Sequence, residues 1–417
     1  MATIDSTCPL TEKYHSFKIA NASACLKLQF FDRTKNRAVY KSLLFQFFLV
    51  FFGPLQCFCA AQPGASYCGP YTVSKPIILN KVNGTTISGL EIAGNNGICI
   101  HLTNCNNIKI EKCKLGPSSD CAIELYNCTN VTITDCRIKN VASGVYAIEC
   151  HGINVNHIEV ENVLGPLPRG QMVQFDKVTG TGNRVNDNIC ENNVGKSYAE
   201  DAISMFETYG TPTDPVQITG NWIRGGGPSK TGGGIMAGDS GGAYVLIKDN
   251  ILVNPGQYGI GVASGTHIKI IHNKIYSKKQ AFTGTGVYIW NQYRTRACAL
   301  DTITENSTNW TNNEDKPDNY WNAGNCGTVG GWDTNIVDTA INESLLPVII
   351  IDSCPPTANA AVINIKPVAN SHLGQYRQAI GSAYAWVCIV VLLLLTYLGF
   401  EYGYPKWRDK KRFNLPA

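Results

Sequence analysis

The chain has 417 residues, of which 44% are hydrophobic and 16% are charged, and it contains 40 glycines. This composition can bury a large core, so a wholly disordered chain and a collagen-like fibre are both excluded. The formal net charge of +4 comes from the ends, because residues 1–41 and 401–417 hold 12 of the 35 Lys and Arg but 5 of the 31 acidic residues. The middle of the chain carries 23 basic and 26 acidic groups. It therefore lacks the basic surface that a nucleic-acid partner needs.

The first predicted element is the short apolar run 42–52, which follows a basic segment beginning at Arg33. Small residues come next at Cys59-Ala60-Ala61, and this order is typical of a signal peptide cleaved after Ala61. A retained anchor stays open as the alternative, because the stretch before Arg33 is long for the start of a signal peptide. Residues 1–61 are therefore assigned to an N-terminal extension with a signal peptide or anchor, and residues 62–378 are expected to be exported.

From Asn96 onward, short alternating segments recur at a nearly constant interval. The segment 100–108 matches 123–131, and Cys105, Cys128 and Cys150 fall at corresponding places in successive segments. Each unit holds two short runs with period-2 alternation and no helical stretch, which excludes a helical solenoid. The pattern predicts a parallel β-helix, in which each coil pairs with the coils above and below. The repeated cysteines fit either stacked free thiols in the core or disulfide bridges.

A second marker is an asparagine that ends each of several later strands. It is found at Asn221, Asn250, Asn273 and Asn306, with Asn188 as a looser member. Asparagine tolerates the left-handed backbone conformation, and its amide can hydrogen-bond along a stack of identical neighbours. We interpret these residues as structural, each at a fixed corner of its coil.

These repeats resemble those of the right-handed parallel β-helix repeat proteins of the pectate-lyase-like superfamily, over roughly residues 70–310. The stretch GNWIRGGGPSKTGGGIMAGDSGGAY (220–244), with 250–265 and 286–293, is similar to an exported subgroup of that superfamily. The resemblance implies an all-β, right-handed, single-stranded parallel β-helix, which we place at residues 62–310. The superfamily is rich in polysaccharide lyases, hydrolases and epimerases, but a fold alone does not assign the chemistry.

Alternation within the aligned strands separates core residues from residues that face solvent. The predicted inward residues are Ile100, Leu102, Ile123, Leu125, Val173, Phe175, Ile203, Met205, Ile235, Ala237, Ile260, Val262, Val287 and Ile289. The predicted outward file holds His101, Glu124, Tyr146, Gln174, Ser204, Met236, Gly261 and Tyr288. A second file beside it holds Tyr126, Asp176, Phe206, Gly238 and Trp290, and the strand ends add Glu207, Asp239 and Asn291.

This outward face combines carboxylates with aromatic rings at a strand spacing of about 4.8 Å. Aromatic faces stack on sugar rings, and carboxyl groups one or two coils apart match the separations that glycosidases use. The candidate catalytic residues are Asp176, Glu207 and Asp239. The candidate substrate-binding residues are Glu124, Tyr126, Tyr146, Gln174, Lys230, Tyr288, Trp290 and Asn291. The alternative is that the outward carboxylates only solvate the strands and protect their edges.

Two loops, residues 195–201 and 225–234, interrupt the period and are expected to overhang this face, where loops often carry function. Strain relief at a wide turn is the expected reason for the glycines of the second loop. Arg184, Arg224 and Lys230 are candidate bases for a lyase reaction. No acidic cluster of the kind that Ca²⁺ needs is visible, so no cofactor is predicted and Ca²⁺ is the one ion left open.

Residues 311–378 lose the period and are assigned to a cap and a stalk, with a bridge expected between Cys298 and Cys326. Residues 379–400 form an uncharged run that is long enough for a transmembrane helix. The basic segment 401–417 that follows predicts a cytoplasmic C-terminus.

Together these features predict a single-pass membrane protein whose β-helix lies on the extracytoplasmic side and binds extended carbohydrate along one sheet. Whether the protein also cleaves the carbohydrate is left open. An enzyme on this scaffold would be a polysaccharide lyase or a glycoside hydrolase. The alternative function is a non-enzymatic surface, adhesion or structural module, which the absence of the superfamily's catalytic motifs favours.

Overall fold

The computed structural model describes residues 63–166, 170–352 and 354, and these build a parallel β-helix. The predicted signal peptide, transmembrane helix and basic tail lie outside the described residues, as does most of the predicted stalk. Within the described part of the chain, no helix is long and apolar enough to cross a membrane.

The β-helix is made of 29 strands and two short 3-10 helices. The strands are β1 (Thr72–Ser74), β2 (Ile77–Asn80), β3 (Asn83–Ser88), β4 (Leu90–Ile92), β5 (Ile100–Thr103), β6 (Asn106–Glu111), β7 (Lys114–Leu115), β8 (Ser118–Tyr126), β9 (Thr129–Thr134), β10 (Arg137–Ile148), β11 (His151–Asn156), β12 (Glu159–Val163), β13 (Val173–Asp176), β14 (Arg184–Asn186), β15 (Ile189–Glu191), β16 (Ile203–Tyr209), β17 (Val216–Thr219), β18 (Trp222–Arg224), β19 (Ile235–Lys248), β20 (Ile251–Val253), β21 (Ile260–Val262), β22 (Gly265–Ile271), β23 (Lys274–Ser277), β24 (Val287–Ile289), β25 (Cys298–Ala299), β26 (Thr302–Thr304), β27 (Ser307–Trp310), β28 (Tyr320–Asn322) and β29 (Ile336–Val337). The 3-10 helices span Trp332–Thr334 and Glu343–Leu345.

Each coil contributes to three sheets, and neighbouring coils pair in parallel. Sheet A contains β2, β5, β8, the second half of β10, β13, β16, the first half of β19, β21, β24 and β28. Sheet B contains β3, β6, β9, β11, β14, β17, the second half of β19, β22, β25 and β26. Sheet C contains β1, β4, β7, the first half of β10, β12, β15, β18, β20, β23, β27 and β29. Because β10 and β19 bend around corners, the sheets are continuous there.

The core fills the inside of the coils with stacked aliphatic side chains. All fourteen residues predicted to point inward are buried, with none more than 1% exposed. The period-2 alternation therefore identifies the core face correctly in every coil where the strands were aligned. Burial of such side chains is the main favourable contribution to stability in a fold whose coils contact only their neighbours.

The predicted asparagine ladder is confirmed. The backbone N–H and the side-chain Nδ2 of Asn188 both donate to Asn221 Oδ1, over 3.1 and 3.0 Å. The same pair of hydrogen bonds recurs from Asn221 onward, and the ladder ends on Asn335, which the sequence analysis missed.

One detail of the ladder differs from the prediction. The left-handed residue of this corner is the one before each asparagine, for example Asp187 (φ 54°) and Asp249 (φ 56°). The asparagines therefore act through their hydrogen bonds, and their neighbours turn the chain. In earlier coils the same corner column is occupied by Cys113, Cys136 and Ile158, which are buried.

The repeated cysteines are free thiols, so the bridge alternative is wrong for Cys105, Cys113, Cys128, Cys136 and Cys150. Their sulfur atoms contribute to the backbone hydrogen bonding of the corners, as when Cys128 Sγ accepts from the N–H of Cys105 in the preceding coil. The predicted bridge between Cys298 and Cys326 is confirmed.

The stack continues past the expected boundary at residue 310, because β28 pairs with β24 and β29 pairs with β27. The segment 343–352, which we call the strap, then runs back across the outer face of sheet C. Its Leu346 and Ile350 are buried in a cluster with Ile189 and Val253. A second disulfide, Cys68–Cys354, joins the chain just beyond the strap to the segment that precedes β1.

The coils lengthen along the chain. In sheet A, Ile100 pairs with Ile123 near the start of the stack, whereas Val287 pairs with the more distant Tyr320 near its end. The extra residues lie in loops that enter or leave sheet A, such as 225–234 and 290–297. Sheet A is consequently the face that is flanked by long loops, which form walls beside it.

Candidate functional site

The strand register confirms the alignment predicted for the outward file of sheet A. The predicted solvent exposure is wrong for five members of the file, which are buried: Tyr146, Ser204, Met236, Gly261 and Tyr288. The pairs His101 with Glu124 and Gln174 with Ser204 are examples of direct neighbours in adjacent coils. The complete file is His101, Glu124, Tyr146, Gln174, Ser204, Met236, Gly261, Tyr288 and Trp321. Trp321 was not predicted to belong to this file, because the coil before it is long and the sequence repeat cannot be recognised there.

The second file is corrected at one position. Phe206 pairs with Asp239 and not with Gly238, since β19 has a register shift between Ile235 and Asp239. Gly238 has φ 67° and takes up the extra residue, as glycine does in a β-bulge. The bulge brings Asp239 into the file two coils after Asp176.

The N-terminal end of this face contains the first candidate binding residues. Glu124 Oε2 lies 2.8 Å from His101 Nδ1, and the ring of Tyr126 is 42% exposed. Six strand steps of about 4.8 Å separate Glu124 from Tyr288, so these two members of the file are about 29 Å apart.

The middle of the face holds Tyr146, Gln174 and Asp176. The Tyr146 hydroxyl donates to Asp176 Oδ2 over 2.8 Å. Gln174 Oε1 and Asp176 Oδ1 are buried atoms that have no hydrogen-bond partner among the described residues. Buried acceptors are normally satisfied, so two unpaired ones on a solvent-facing file are the kind of group that a polar ligand satisfies.

The three candidate catalytic carboxylates lie close enough to influence one another. Glu207 forms an ion pair with Arg296 and accepts a hydrogen bond from the Ser240 hydroxyl over 3.1 Å. Asp239 accepts from the Tyr293 hydroxyl. Burial raises the pKa of Asp239, and the negative charges of Asp176 and Glu207 raise it further against the opposing hydrogen bond.

An open cavity of about 360 Å³ lies on the C-terminal part of sheet A. Its aromatic lining is Tyr258, Tyr288, Trp290 and Trp321. The two indoles are 42% and 44% exposed and meet edge to face with ring centroids 5.8 Å apart. The remaining lining residues are Lys230, Thr231, Met236, Gln257, Gly284, Thr285 and Gln292.

Beneath this cavity lies a buried acid that was not among the candidates. Asp201 Oδ1 accepts from the Tyr258 hydroxyl and from the Gly233 N–H, the latter over 2.9 Å. Burial raises the pKa of Asp201 to about 7, and the nearby Glu200 and Asp239 carboxylates add to this. Only contacts between coils reveal such a residue, since its position before β16 carries no periodic signal.

Other predicted residues have different surroundings. Lys230 lines the cavity, as its loop was expected to. Asn291 organises a turn, with its Oδ1 accepting from the Tyr293 N–H over 3.1 Å, and it does not line the cavity. Arg184 lies on sheet B beside Asp214, and Arg224 on sheet C beside Glu191, so neither can act as a base on sheet A.

The glycines of the loop 225–234 are explained by close packing, not by the strain relief expected from the sequence. Of the six glycines in this loop, Gly225 alone has a positive φ. A Cβ at Gly227 would lie 2.2 Å from Ala199 O, and one at Gly232 would lie 2.2 Å from Glu200 O. Backbone therefore packs directly on backbone there.

The chemistry available to the site comes from side chains. Among the described residues, no three His, Cys, Asp or Glu side chains form a group that could hold a metal ion. The arrangement offers aromatic faces, unpaired acceptors, one lysine and a desolvated acid beside other carboxylates. Such a surface can stack on and hydrogen-bond a polyhydroxylated ligand.

The coil geometry defines the class of this protein as an all-β parallel β-helix repeat protein. Residues 76–228 match the family model described as "Right handed beta helix region". The chain is therefore a right-handed β-helix repeat protein. No curated protein matches its sequence.

Among solved structures, the chain is similar to the catalytic domain of a GH87 alpha-1,3-glucanase in complex with nigerose. The identity is 13% and the TM-score 0.41, over 66% of this chain and 62% of the glucanase chain. It is also similar to an alginate lyase from Paenibacillus sp. str. FPU-7, at 12% identity and a TM-score of 0.40, over 65% of this chain and 94% of the lyase. The chain thus spans less than two thirds of the glucanase, and neither similarity assigns an activity to it.

Proposed function

We propose that this protein binds an extended carbohydrate along sheet A, with one part of the glycan seated in the aromatic cavity. The observation that carries this proposal is the pair of half-exposed indoles, Trp290 and Trp321, at the edge of an open cavity. Exposed aromatic faces next to amide and hydroxyl groups suit the alternating C–H and O–H surfaces of sugar rings. The unpaired acceptors of Gln174 and Asp176 extend the polar surface along the same file.

An oligosaccharide array probed with the purified full chain tests this proposal, followed by calorimetric titration of each ligand that binds. Replacing either indole by alanine should weaken binding by about tenfold, since one ring stacking contact contributes roughly 1 kcal/mol or more. The control Ile336→Ala, exposed on sheet C, should leave binding unchanged. Absence of binding to any oligosaccharide on the array would contradict the proposal.

A second candidate function, hydrolysis of the bound glycan, is favoured by the carboxylates beside the cavity. Asp239 has a raised pKa and suits a general acid. Glu207 lies one coil from Asp239 and forms an ion pair with Arg296. Two carboxyl groups with opposite environments are what an acid and its partner need. Asp176, two coils from Asp239, is the alternative partner at a strand separation of about 9.6 Å.

The non-enzymatic function has support of its own. Each of the aspartates Asp176, Asp201 and Asp239 already accepts a hydrogen bond from a tyrosine hydroxyl. A purely structural role, in which these hydrogen bonds hold the glycan-binding face rigid, is sufficient to explain the three tyrosine–aspartate pairs. A reducing-sugar assay and an ultraviolet assay for an unsaturated product, run on every glycan that binds, separate the functions. Binding without product would reject hydrolysis and elimination and leave the surface module.

We further propose that the β-helix is displayed outside a membrane through the apolar segment 379–400. The two disulfides of the described residues, Cys68–Cys354 and Cys298–Cys326, support export because such bonds persist in oxidising compartments. Protease treatment of intact cells that express the tagged chain tests this. Protection of the β-helix from protease would contradict it.

A further inference from the structure

The tip of the loop 225–234 lies at the rim of the aromatic cavity. This tip, residues 228–231, presents Lys230 and Thr231 to the cavity. Glu200, from the preceding coil, accepts hydrogen bonds from the hydroxyls of Ser229 and Thr231, one on each carboxylate oxygen. The two bonds bracket Lys230 on both sides.

Glu200 is itself firmly anchored. It is 8% exposed, and its backbone N–H donates to Gly170 O over 2.8 Å. In the described residues it forms no ion pair, so the two hydroxyl groups are the visible partners of its carboxylate. Hydrogen bonds to an ionised group are stronger than those between neutral groups, and a buried carboxylate depends on them.

The flanks of the loop are fixed in a different way. Gly227 and Gly232 pack against the backbone of Ala199 and Glu200 so closely that no Cβ would fit. Asp201 holds the second flank through the Gly233 N–H. The tip, by contrast, has Pro228, Lys230 and Thr231 exposed to solvent. Freedom of movement is therefore concentrated in the four residues that Glu200 holds.

Lys230 has no ion-pair or hydrogen-bond partner among the described residues, so its ammonium group is available to a ligand. We propose that Glu200 is a positioning residue that holds the loop tip against its own coil and so places Lys230 over the aromatic cavity. We call the two hydrogen bonds from the Ser229 and Thr231 hydroxyls to the Glu200 carboxylate the latch. The effect of this placement on ligand binding rests on the proposed function, but the existence of the latch does not. Loss of the latch frees the tip and leaves the cavity floor intact.

Limited trypsin digestion of the full chain measures the latch directly, because trypsin cleaves after Lys230 only when the tip leaves its packed position. Glu200→Ala should speed this cleavage by about tenfold or more, as expected for losing two charge-assisted hydrogen bonds. Glu200→Gln keeps one acceptor and should restore slow cleavage in part. Cleavage after Lys279, which is exposed in the segment between β23 and β24, serves as the internal reference.

Two further variants keep the test independent of folding defects. Ser229→Ala combined with Thr231→Val removes both donors at largely solvent-facing positions and should reproduce the fast cleavage of Glu200→Ala. The matched control Glu161→Ala, which breaks an ion pair with Lys139 on sheet C, should cleave like the wild type at Lys230. Unchanged cleavage at Lys230 in both the Glu200→Ala and the double variant would overturn the proposal.

The ligand experiment separates this inference from the proposed function. For any oligosaccharide that binds, Glu200→Ala and Lys230→Ala should each lower affinity, and Glu200→Gln should recover part of the loss. Fast cleavage with unchanged affinity would overturn the positioning role while the latch and the carbohydrate site both stand. Failure of every oligosaccharide to bind would overturn the carbohydrate site and leave the cleavage result as the measure of the latch.

Discussion

The side-chain amide of Asn221 donates to Asn250 Oδ1 over 2.8 Å, and the Asn221 backbone N–H donates to the same oxygen over 3.0 Å. One oxygen atom thus satisfies two buried donors of the neighbouring coil. Both residues have no solvent exposure. Each asparagine donates to the asparagine of one neighbouring coil and accepts from that of the other, so the ladder joins every coil to the next by hydrogen bonds.

Asn250→Ala should destabilise the protein by about 3 kcal/mol or more, since it leaves the two Asn221 donors buried without an acceptor. Thermal unfolding followed by circular dichroism measures the change. The control Asn313→Ala, at an exposed position, should stay within about 0.5 kcal/mol of the wild type. Equal losses in the two variants would contradict a special role for the ladder.

Asp201→Asn should make stability less dependent on pH. The folded protein holds the Asp201 pKa at about 7, whereas an unfolded aspartate has a pKa of about 3.9. Between these values the folded state binds a proton that the unfolded state has released, so stability falls as pH rises through this window. The variant removes this loss and keeps Oδ1 as acceptor for Tyr258 and Gly233.

Relative to the wild type, Asp201→Asn should therefore gain stability from pH 4 to pH 7, by up to about 4 kcal/mol. Urea unfolding in buffers of equal ionic strength measures the difference. Two stability curves that run parallel across this range would show that Asp201 keeps its ordinary pKa in the folded protein.

Tyr293→Phe should shift the pH dependence of any hydrolysis toward higher pH. The Tyr293 hydroxyl stabilises the Asp239 carboxylate, so its removal raises the pKa of Asp239 further. A general acid works only while protonated, and its activity is lost as pH rises through its pKa. The measurement is kcat/KM for reducing-sugar release across pH, and a shift to lower pH would exclude Asp239 as the acid.

Asp239→Asn is the companion variant, and it should lower kcat/KM by about a hundredfold or more because an amide cannot donate the proton. Retained affinity for the uncleaved oligosaccharide, measured by calorimetry, serves as its control. Undiminished turnover would move the catalytic role elsewhere on the face.

Replacing Cys68 and Cys354 by serine should lower the free energy of unfolding by about 2–5 kcal/mol, because the bridge closes a loop of 286 residues in sequence. The strap should then detach more readily from sheet C. Denaturant unfolding measures the loss, and the second bridge, Cys298–Cys326, remains as the internal control. A variant as stable as the wild type would show that the strap is held by its other contacts.

Much of this fold follows from local pattern. Alternation places Ile123 and Leu125 inside and Glu124 outside, and the strand register agrees. The outward file is predictable because one inward-facing aliphatic pair per coil fixes the alignment of every strand in sheet A. The same logic fails at Gly238, where a single extra residue in a bulge shifts Asp239 into the file.

Other parts of the site depend on contacts that carry no period. Trp321 was not predicted because its coil is longer than the early ones. Asp201 was not predicted because its hydrogen-bond partners, Tyr258 and Gly233, come from the next two coils. The strap is invisible to repeat analysis, since it crosses sheet C and makes no pairing with its strands. Long loops and buried acids are set by three-dimensional packing, which alternation does not encode.

The lengthening of the coils has a consequence for how such a surface can diversify. Apart from the bulge at Gly238, the additional residues fall mainly in the loops between strands, so a short insertion there changes the height of a loop beside sheet A without shifting the asparagine ladder. This architecture separates the part that must stay constant from the part that is free to acquire a new specificity.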